Sequence, residues 1–201
     1  LKTLSIPSHL TTKLRAMCAA QTTTLYVALL SVLSTVLHKY SRQEEVVVGT
    51  PFACRTSEQF ENTVGCFINA VPVMSTFGAP QKKTFSDLMT ETRGMLATAM
   101  SLQEYPFPLL ADKLSAPRRL ASHAPVFQTI FTFQKAQDVD DELTPFFMYR
   151  NGHSLMLSDE LTWESMSVPT GHNLNDLVFQ FAEVNGGRDV CGTVEFNRDL
   201  Y

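Results

Sequence analysis

The side chains that could do acid–base or nucleophilic chemistry are scattered along this sequence. The histidines are His9, His38, His123, His153 and His172. Only His172 has a carboxylate at a chemically meaningful spacing. His172-Asn173-Leu174-Asn175-Asp176 fits H-x-x-x-D, in which an acyl-transferring site uses the imidazole as base and the aspartate as its structural partner. Asp176 is followed by Leu177 rather than Gly and opens an alternating strand pattern, so the competing reading is a loop histidine and a strand-opening aspartate. No G-x-S-x-G nucleophile turn and no G-x-x-x-x-G-K-[ST] phosphate loop is present. Cys18, Cys54, Cys66 and Cys191 form no C-x-x-C pair, which favours small apolar packing over zinc or a disulfide framework. Two polar residues remain. Arg55 follows a buried strand, behind Gly49, Pro51 and Cys54, where site residues often emerge in α/β folds; a solvated surface arginine is the alternative. Asn69 lies between Ile68 and Ala70 in an apolar run, so its amide needs partners, and hydrogen bonding to a neighbouring loop is the leading reading.

The elements that must carry these residues read as follows. Ser8 to Ala20 is a helix with Ser8 as N-cap. A second helix runs from near Thr24 to near Tyr40, with Leu25, Leu29, Leu33, Val36, Leu37 and Tyr40 on one core-facing side. Val46-Val47-Val48 before Gly49 predicts a strand buried on both faces. Cys66 to Val73 is a second strand, in which Pro72 suggests an edge position or a strand end. Thr84 to Ser101 returns to helical spacing, Thr84 and Asp87 resembling a capping box, and Pro108 to Leu114 adds a short helix. Val126 to Phe133 is a strand. Leu177 to Phe181 and Val190 to Phe196 flank Asn185-Gly186-Gly187 as a hairpin. The weakly periodic stretch Asp138 to Asn173 is long for a compact domain, which points to a job; Ser154 to Leu157 and Leu161 to Met166 have strand character. The sum is an α/β lobe, with about three long helices packed on a mixed sheet.

Length and composition suit one globular unit of this kind. The chain has 201 residues, 44% hydrophobic and 18% charged. A net charge of -4 without a basic run argues against nucleic acid, and no apolar stretch reaches membrane-spanning length, so no membrane is expected. Leu1 in place of Met, with no secretory pattern, suggests a piece of a longer cytoplasmic protein.

Several segments in order resemble the second half of a condensation domain of nonribosomal peptide synthetases, a relative of chloramphenicol acetyltransferase. Thr24 to Leu30 fits T-L-x-x-x-L-L. Val46 to Pro51 with Arg55 is similar to I-V-V-G-T-P-x-A-x-R, and Val64 to Asn69 resembles I-G-x-F-V-N with Ala70 in place of the usual Thr. Tyr105-Pro106-Phe107 matches Y-P-F. Arg118 to Gln128 looks like R-D-x-S-R-x-P-L-F-Q, with Arg119 replacing the acid. Asn175-Asp176-Leu177 and Phe196 to Tyr201 resemble the segments around the last hairpin. The family's His-His-x-x-x-Asp-Gly motif is absent.

The resemblance implies a single acyltransferase-like lobe, the C-terminal subdomain over residues 1–201, whose partner N-terminal lobe carries the catalytic histidines. It implies amide formation between a donor acyl or peptidyl thioester and an acceptor aminoacyl thioester, both on phosphopantetheine arms of carrier domains, with an adjacent adenylation domain. No cofactor or metal would bind this lobe directly, and no catalytic residue would lie in it. Arg55 would pair with the aspartate of the missing motif and Asn69 would support the site. A latch toward the other lobe would lie within Asp138 to Asn173. Phe107 to Leu110 and Gln134-Lys135-Ala136 look like condensation domains of mixed polyketide–peptide assembly lines. The alternatives are a non-catalytic carrier-docking module and an independent acyltransferase using His172.

Overall fold

The computed structural model of the chain describes residues 1–78, 83–115, 124–134, 154–166, 175–184 and 186–200. In chain order the elements are β1 (Lys2–Ile6), α1 (Ser8–Ala20), α2 (Leu25–Ser41), β2 (Glu45–Phe52), β3 (Asn69–Thr76), α3 (Phe85–Ser101), α4 (Phe107–Ser115), β4 (Thr129–Gln134), β5 (Ser154–Ser158), β6 (Leu161–Glu164), β7 (Leu177–Val184) and β8 (Asp189–Phe196). They divide into two compact units, Met17–Phe131 and Leu1–Ala16 with Thr132–Tyr201, the divisions falling inside α1 and β4. The α/β class holds. The three long helices have 13, 17 and 17 residues, and α4 adds 9.

The unit Met17–Phe131 is built around β2. This strand pairs antiparallel with β3, from Glu45↔Thr76 to Phe52↔Asn69, and parallel with β4 at Gly49↔Ile130, so the sheet here is mixed. Val46, Val48 and Thr50 are buried on one face, and the chain has no side chain at Gly49 for a physical reason. A Cβ there would run into the Phe127 ring, which fills that notch. Pro72 stands opposite Gly49 in β3, which pairs with β2 alone among the described strands of this unit, so its missing N–H leaves no ladder position empty. The strand expected over Cys66–Val73 starts and ends three residues later. Cys66, Phe67 and Ile68 belong instead to a loop that Arg55 holds.

Both helices on this sheet are capped, the second by the Thr84–Asp87 pair that its sequence predicts. The Thr24 hydroxyl accepts from Val27 N at 3.3 Å, and Arg42 closes α2 in the left-handed region at φ 62°. Leu25, Leu29 and Leu33 are buried, as are Val27, Ala28 and Leu30 on the other sides of the same turns. The expected core face does not extend to the end: Val36 is exposed and Tyr40 is 87% exposed. The last turn is anchored by His38, whose ring stacks on Phe77 at 4.2 Å and whose Nδ1 lies 2.6 Å from the Gln43 carbonyl. For α3, Thr84 N donates to Asp87 Oδ2 at 2.9 Å and Asp87 N to Thr84 Oγ1 at 3.2 Å, a reciprocal box. The Thr84 hydroxyl, and then its N–H, hold the Asp87 carboxyl below the usual carboxylate range. Leu88, Met89, Thr92 and Ala99 are buried, while Phe85 faces solvent.

The second unit is antiparallel throughout its described pairings. β1 pairs with β8 and β8 with β7, the turn carrying Gly186 at φ 63° and Gly187 at φ 77°. No sequence pattern announces β1; its side chains are mostly exposed, and only its partner reveals it. Ser8 is the first helical residue rather than the cap, because the Pro7 carbonyl takes the first N–H donors, from Leu10 at 2.9 Å and Thr11 at 3.0 Å. Arg15 donates to Glu183 at 2.6 Å and to the Gly187 carbonyl at 3.0 Å, tying α1 to the hairpin. β5 and β6 form a separate antiparallel hairpin that exposes Met156, Leu161 and Trp163. Apart from residues 154–166, the Asp138–Asn173 stretch lies outside the described residues.

The hydroxyl of Tyr26 on α2 records how dry the main core is. Its ring meets fully buried Phe131 edge-on at 5.1 Å. Burial pushes the phenol up to about 12, against a smaller downward pull from the Thr50 hydroxyl. The unfolded phenol titrates near 10. Between these values the folded chain holds the proton longer than the unfolded chain, so stability falls as pH rises. The stability present below pH 10 is expected to decline by about 2 kcal/mol by pH 12. Tyr26→Phe should flatten that decline in urea titrations across pH 9–12; an unchanged slope would show that Tyr26 is not its source.

Candidate functional site

At the end of β2 the chain is forced into a fixed path. Cys54 adopts φ 50°, in the left-handed region. Its thiol donates to the Gln103 carbonyl at 3.2 Å, 49 residues away. Two residues on, the Thr56 hydroxyl donates to the Glu104 carboxylate. The end of β2 is thereby fastened to the corner between α3 and α4.

Asn69, the first residue of β3, fastens the same corner from the other side. Its Nδ2 donates to the Gln103 carbonyl at 2.8 Å and to the Tyr105 carbonyl at 2.7 Å, and its Oδ1 accepts from Phe107 N at 3.0 Å. One carboxamide thus satisfies three backbone groups of a loop that has no ladder of its own. The last of these groups is the N–H that opens α4, so Asn69 acts as that helix's cap from 38 residues away. Lys113 on α4 sits over the Tyr105 ring at 5.6 Å. The Phe107 ring packs on Phe127 at 4.8 Å, and Phe127 in turn fills the Gly49 notch.

Arg55 lies beside this knot and is exposed. Its guanidinium donates to the Phe60 carbonyl and, at 3.3 Å, to the Gly65 carbonyl. It also lies 4.4 Å over the Phe67 ring, which packs against Phe60 at 5.5 Å. The arginine is the organising centre of the 55–67 loop. Its planar fork suits this task, with two edges bonded while one face stacks.

Arg55 and Asn69 therefore belong to one region, reached from the two strands β2 and β3. His172 lies outside the described residues, as do His123, His153 and the Arg118–His123 part of the expected motif. His38 is engaged at the end of α2. None of the four cysteines is in a disulfide, and among the described residues no group of His, Cys, Asp and Glu converges as metal ligands. Nothing in the sequence pattern marks Cys54 as a fastening group or pairs Phe107 with Phe127. Gly49 within a buried strand is the available signal for the latter, since glycine there marks a close approach.

Residues 2–201 match the family model described as Condensation domain, so the chain belongs to the condensation-domain family. It is 38% identical over 136 residues to gramicidin S synthase 2 of Aneurinibacillus migulanus, covering 68% of this chain and 3% of that protein's length. Its fold is similar to that of holo-AB3403, a four-domain nonribosomal peptide synthetase bound to AMP and glycine, with a TM-score of 0.83, 21% identity, and coverage of 98% of this chain and 15% of the other. The condensation domain of the monacolin K polyketide synthase MokA gives a TM-score of 0.75 at 17% identity, covering 100% of this chain and 42% of that one.

Replacing Asn69 tests the knot. Asn69→Ala leaves the Phe107 N–H and two carbonyls without their partner and should cost about 2 kcal/mol in urea unfolding. Asn69→Asp keeps the acceptor but sets a carboxylate against two carbonyls, and should cost more. Losses below about 0.5 kcal/mol in both would show that solvent replaces the amide without penalty.

Proposed function

We propose that this chain is the C-terminal lobe of a condensation domain that forms an amide between a donor acyl or peptidyl thioester and an acceptor aminoacyl thioester, each on a carrier domain's phosphopantetheine arm. The acceptor amine attacks the thioester carbonyl. A C–N bond forms as the C–S bond breaks, and the amine's proton leaves while the donor arm departs as a thiol. The lobe supplies one wall of the tunnel and the contacts to its partner lobe; the imidazole near the amine comes from that partner. The observation that carries this reading is a family match filling residues 2–201 of a sequence with no adjacent histidine pair. The coverage of 42% of the MokA condensation-domain chain supports it.

In this reading Arg55 faces the aspartate of the partner lobe's H-H-x-x-x-D-G motif. A guanidinium has five N–H donors, so two loop carbonyls leave capacity for a carboxylate, and the 55–67 loop presents the group already oriented. The pair would hold the motif's loop in shape rather than touch substrate. Asn69 supports the same end of the lobe by fixing α4. The β5–β6 hairpin, with its exposed Met156 and Trp163, belongs to the latch toward the other lobe. Carrier domains, an adjacent adenylation domain and a cytoplasmic assembly line, of mixed polyketide–peptide type by the Phe107–Leu110 likeness, complete the setting.

The test uses carrier-bound substrates. The 201-residue chain alone should give no amide, and a two-lobe domain containing it should. Arg55→Ala in the two-lobe domain should lower the rate by about tenfold or more. Amide formed by the chain alone would overturn the reading.

A further inference from the structure

The knot between β2, β3 and α4 also fixes both ends of the 55–67 loop. Two of its fastenings meet on one atom. The Gln103 carbonyl accepts from the Cys54 thiol at 3.2 Å and from Asn69 Nδ2 at 2.8 Å. A carbonyl oxygen has two lone pairs, so both bonds form at once. Arg55 is the residue after the first anchor, and Phe67 stands two residues before the second. The loop therefore leaves and returns at fixed points, and the side chains beside those points meet: the Arg55 guanidinium lies over the Phe67 ring, 4.4 Å from its centre.

Hydrogen bonds alone do not hold an exposed arginine in one orientation. Water competes for the two bonds that Arg55 makes to the Phe60 and Gly65 carbonyls, and so long a side chain loses much rotamer freedom when ordered. A ring beneath the guanidinium changes that balance. Cation and π face attract, and the planar group cannot swing through the space that the ring fills. Phe67 is itself braced: its ring packs on Phe60 at 5.5 Å, and Phe60 supplies the carbonyl that takes Arg55 Nη1. Residues 61–66 between the two rings are all exposed, whereas both rings are half-buried. Covering Phe60 needs only apolar bulk, which a leucine would provide. Only the cation needs an aromatic face at position 67.

Nη1 and Nη2 each donate once to the loop. Of the five guanidinium donors, Nε–H and one N–H on each terminal nitrogen are then left without a partner among the described residues. All three lie in the guanidinium plane, so the plane that the ring sets is the plane in which a carboxylate must arrive.

We propose that Phe67 is a positioning residue: its ring is the platform that fixes the plane of the Arg55 guanidinium and so aims the free donors at the partner lobe's carboxylate. The proposal rests on the condensation-domain reading above, in which Arg55 meets that carboxylate. Phe67 touches neither substrate nor the reacting atoms and acts only through Arg55.

Phe67→Leu and Phe67→Tyr in the two-lobe domain test this. Leucine keeps apolar bulk against Phe60 and removes the π face; tyrosine keeps the face. Phe67→Leu should lower kcat about fivefold or more, and Phe67→Tyr should retain most of the activity. With Arg55→Ala already in place, Phe67→Leu should change the remaining rate by less than about twofold, because the platform has nothing left to hold. Equal loss from Phe67→Leu in both backgrounds would reveal a merely structural role and overturn the proposal, as would equal loss in the leucine and tyrosine variants. Stacking also has a signature that needs no assay. The ring current should displace the Arg55 Cδ-proton resonances upfield in the wild-type domain and in Phe67→Tyr, and the displacement should vanish in Phe67→Leu. Undisplaced Arg55 resonances in the wild-type domain would refute the platform outright. Resonances that respond as stated, while Arg55→Ala leaves amide formation unchanged, would instead refute the role given to Arg55 in the condensation reading and leave the platform standing.

Discussion

The close approach of the Phe127 ring to the backbone of β2 is the constraint on which the rest of the main unit depends. It is possible only because residue 49 has no side chain. Given that contact, Phe127 is buried at 3% exposure and reaches across to Phe107. The start of α4 is then fixed by packing, and Asn69 needs to satisfy only polar groups. A buried ring wedge and a fully bonded carboxamide are complementary devices: dispersion and desolvation hold the first, directionality holds the second. Together they make a rigid corner from segments that are neither helix nor strand.

The polar groups of this corner are engaged in holding backbone. The Cys54 thiol, the Asn69 amide and the Arg55 guanidinium all bond to backbone carbonyls of their own unit. Groups used in that way orient loops; they do not move protons. Such a region gains a chemical purpose when a second surface brings reactive side chains to it, and membership of the condensation-domain family gives that expectation its content.

The sequence is most informative where the determining interactions are local. Thr84 and Asp87, three positions apart, read as a capping box, and the reciprocal bonds are present. The hairpin turn at Gly186-Gly187 is likewise a property of adjacent residues. Legibility fails where partners are distant. The β1 strand exists through pairing with β8, 192 positions on at Lys2↔Val194, and its own residues show little alternation. Tyr40 looks like core by spacing, but no described element covers it in the last turn of α2. Asn69 is readable as a buried amide in need of partners, yet nothing local names the Gln103, Tyr105 and Phe107 backbone as those partners. Val126 reads as strand because β-branched residues favour that state, yet it stands at φ 70° and β4 begins only at Thr129: tertiary packing overrides the preference.

The proposed function rests on one claim: that this chain is a lobe holding a site whose reactive groups come from another lobe, with Arg55 at the join. A double-mutant cycle between Arg55 and the aspartate of the partner lobe's H-H-x-x-x-D-G motif, read by denaturant unfolding of the two-lobe domain, tests it most directly. The account predicts a coupling of about 1–3 kcal/mol, because the charges would share one hydrogen-bonded contact. Additive single effects, with coupling near zero, would contradict it and leave Arg55 as the keystone of its own loop alone.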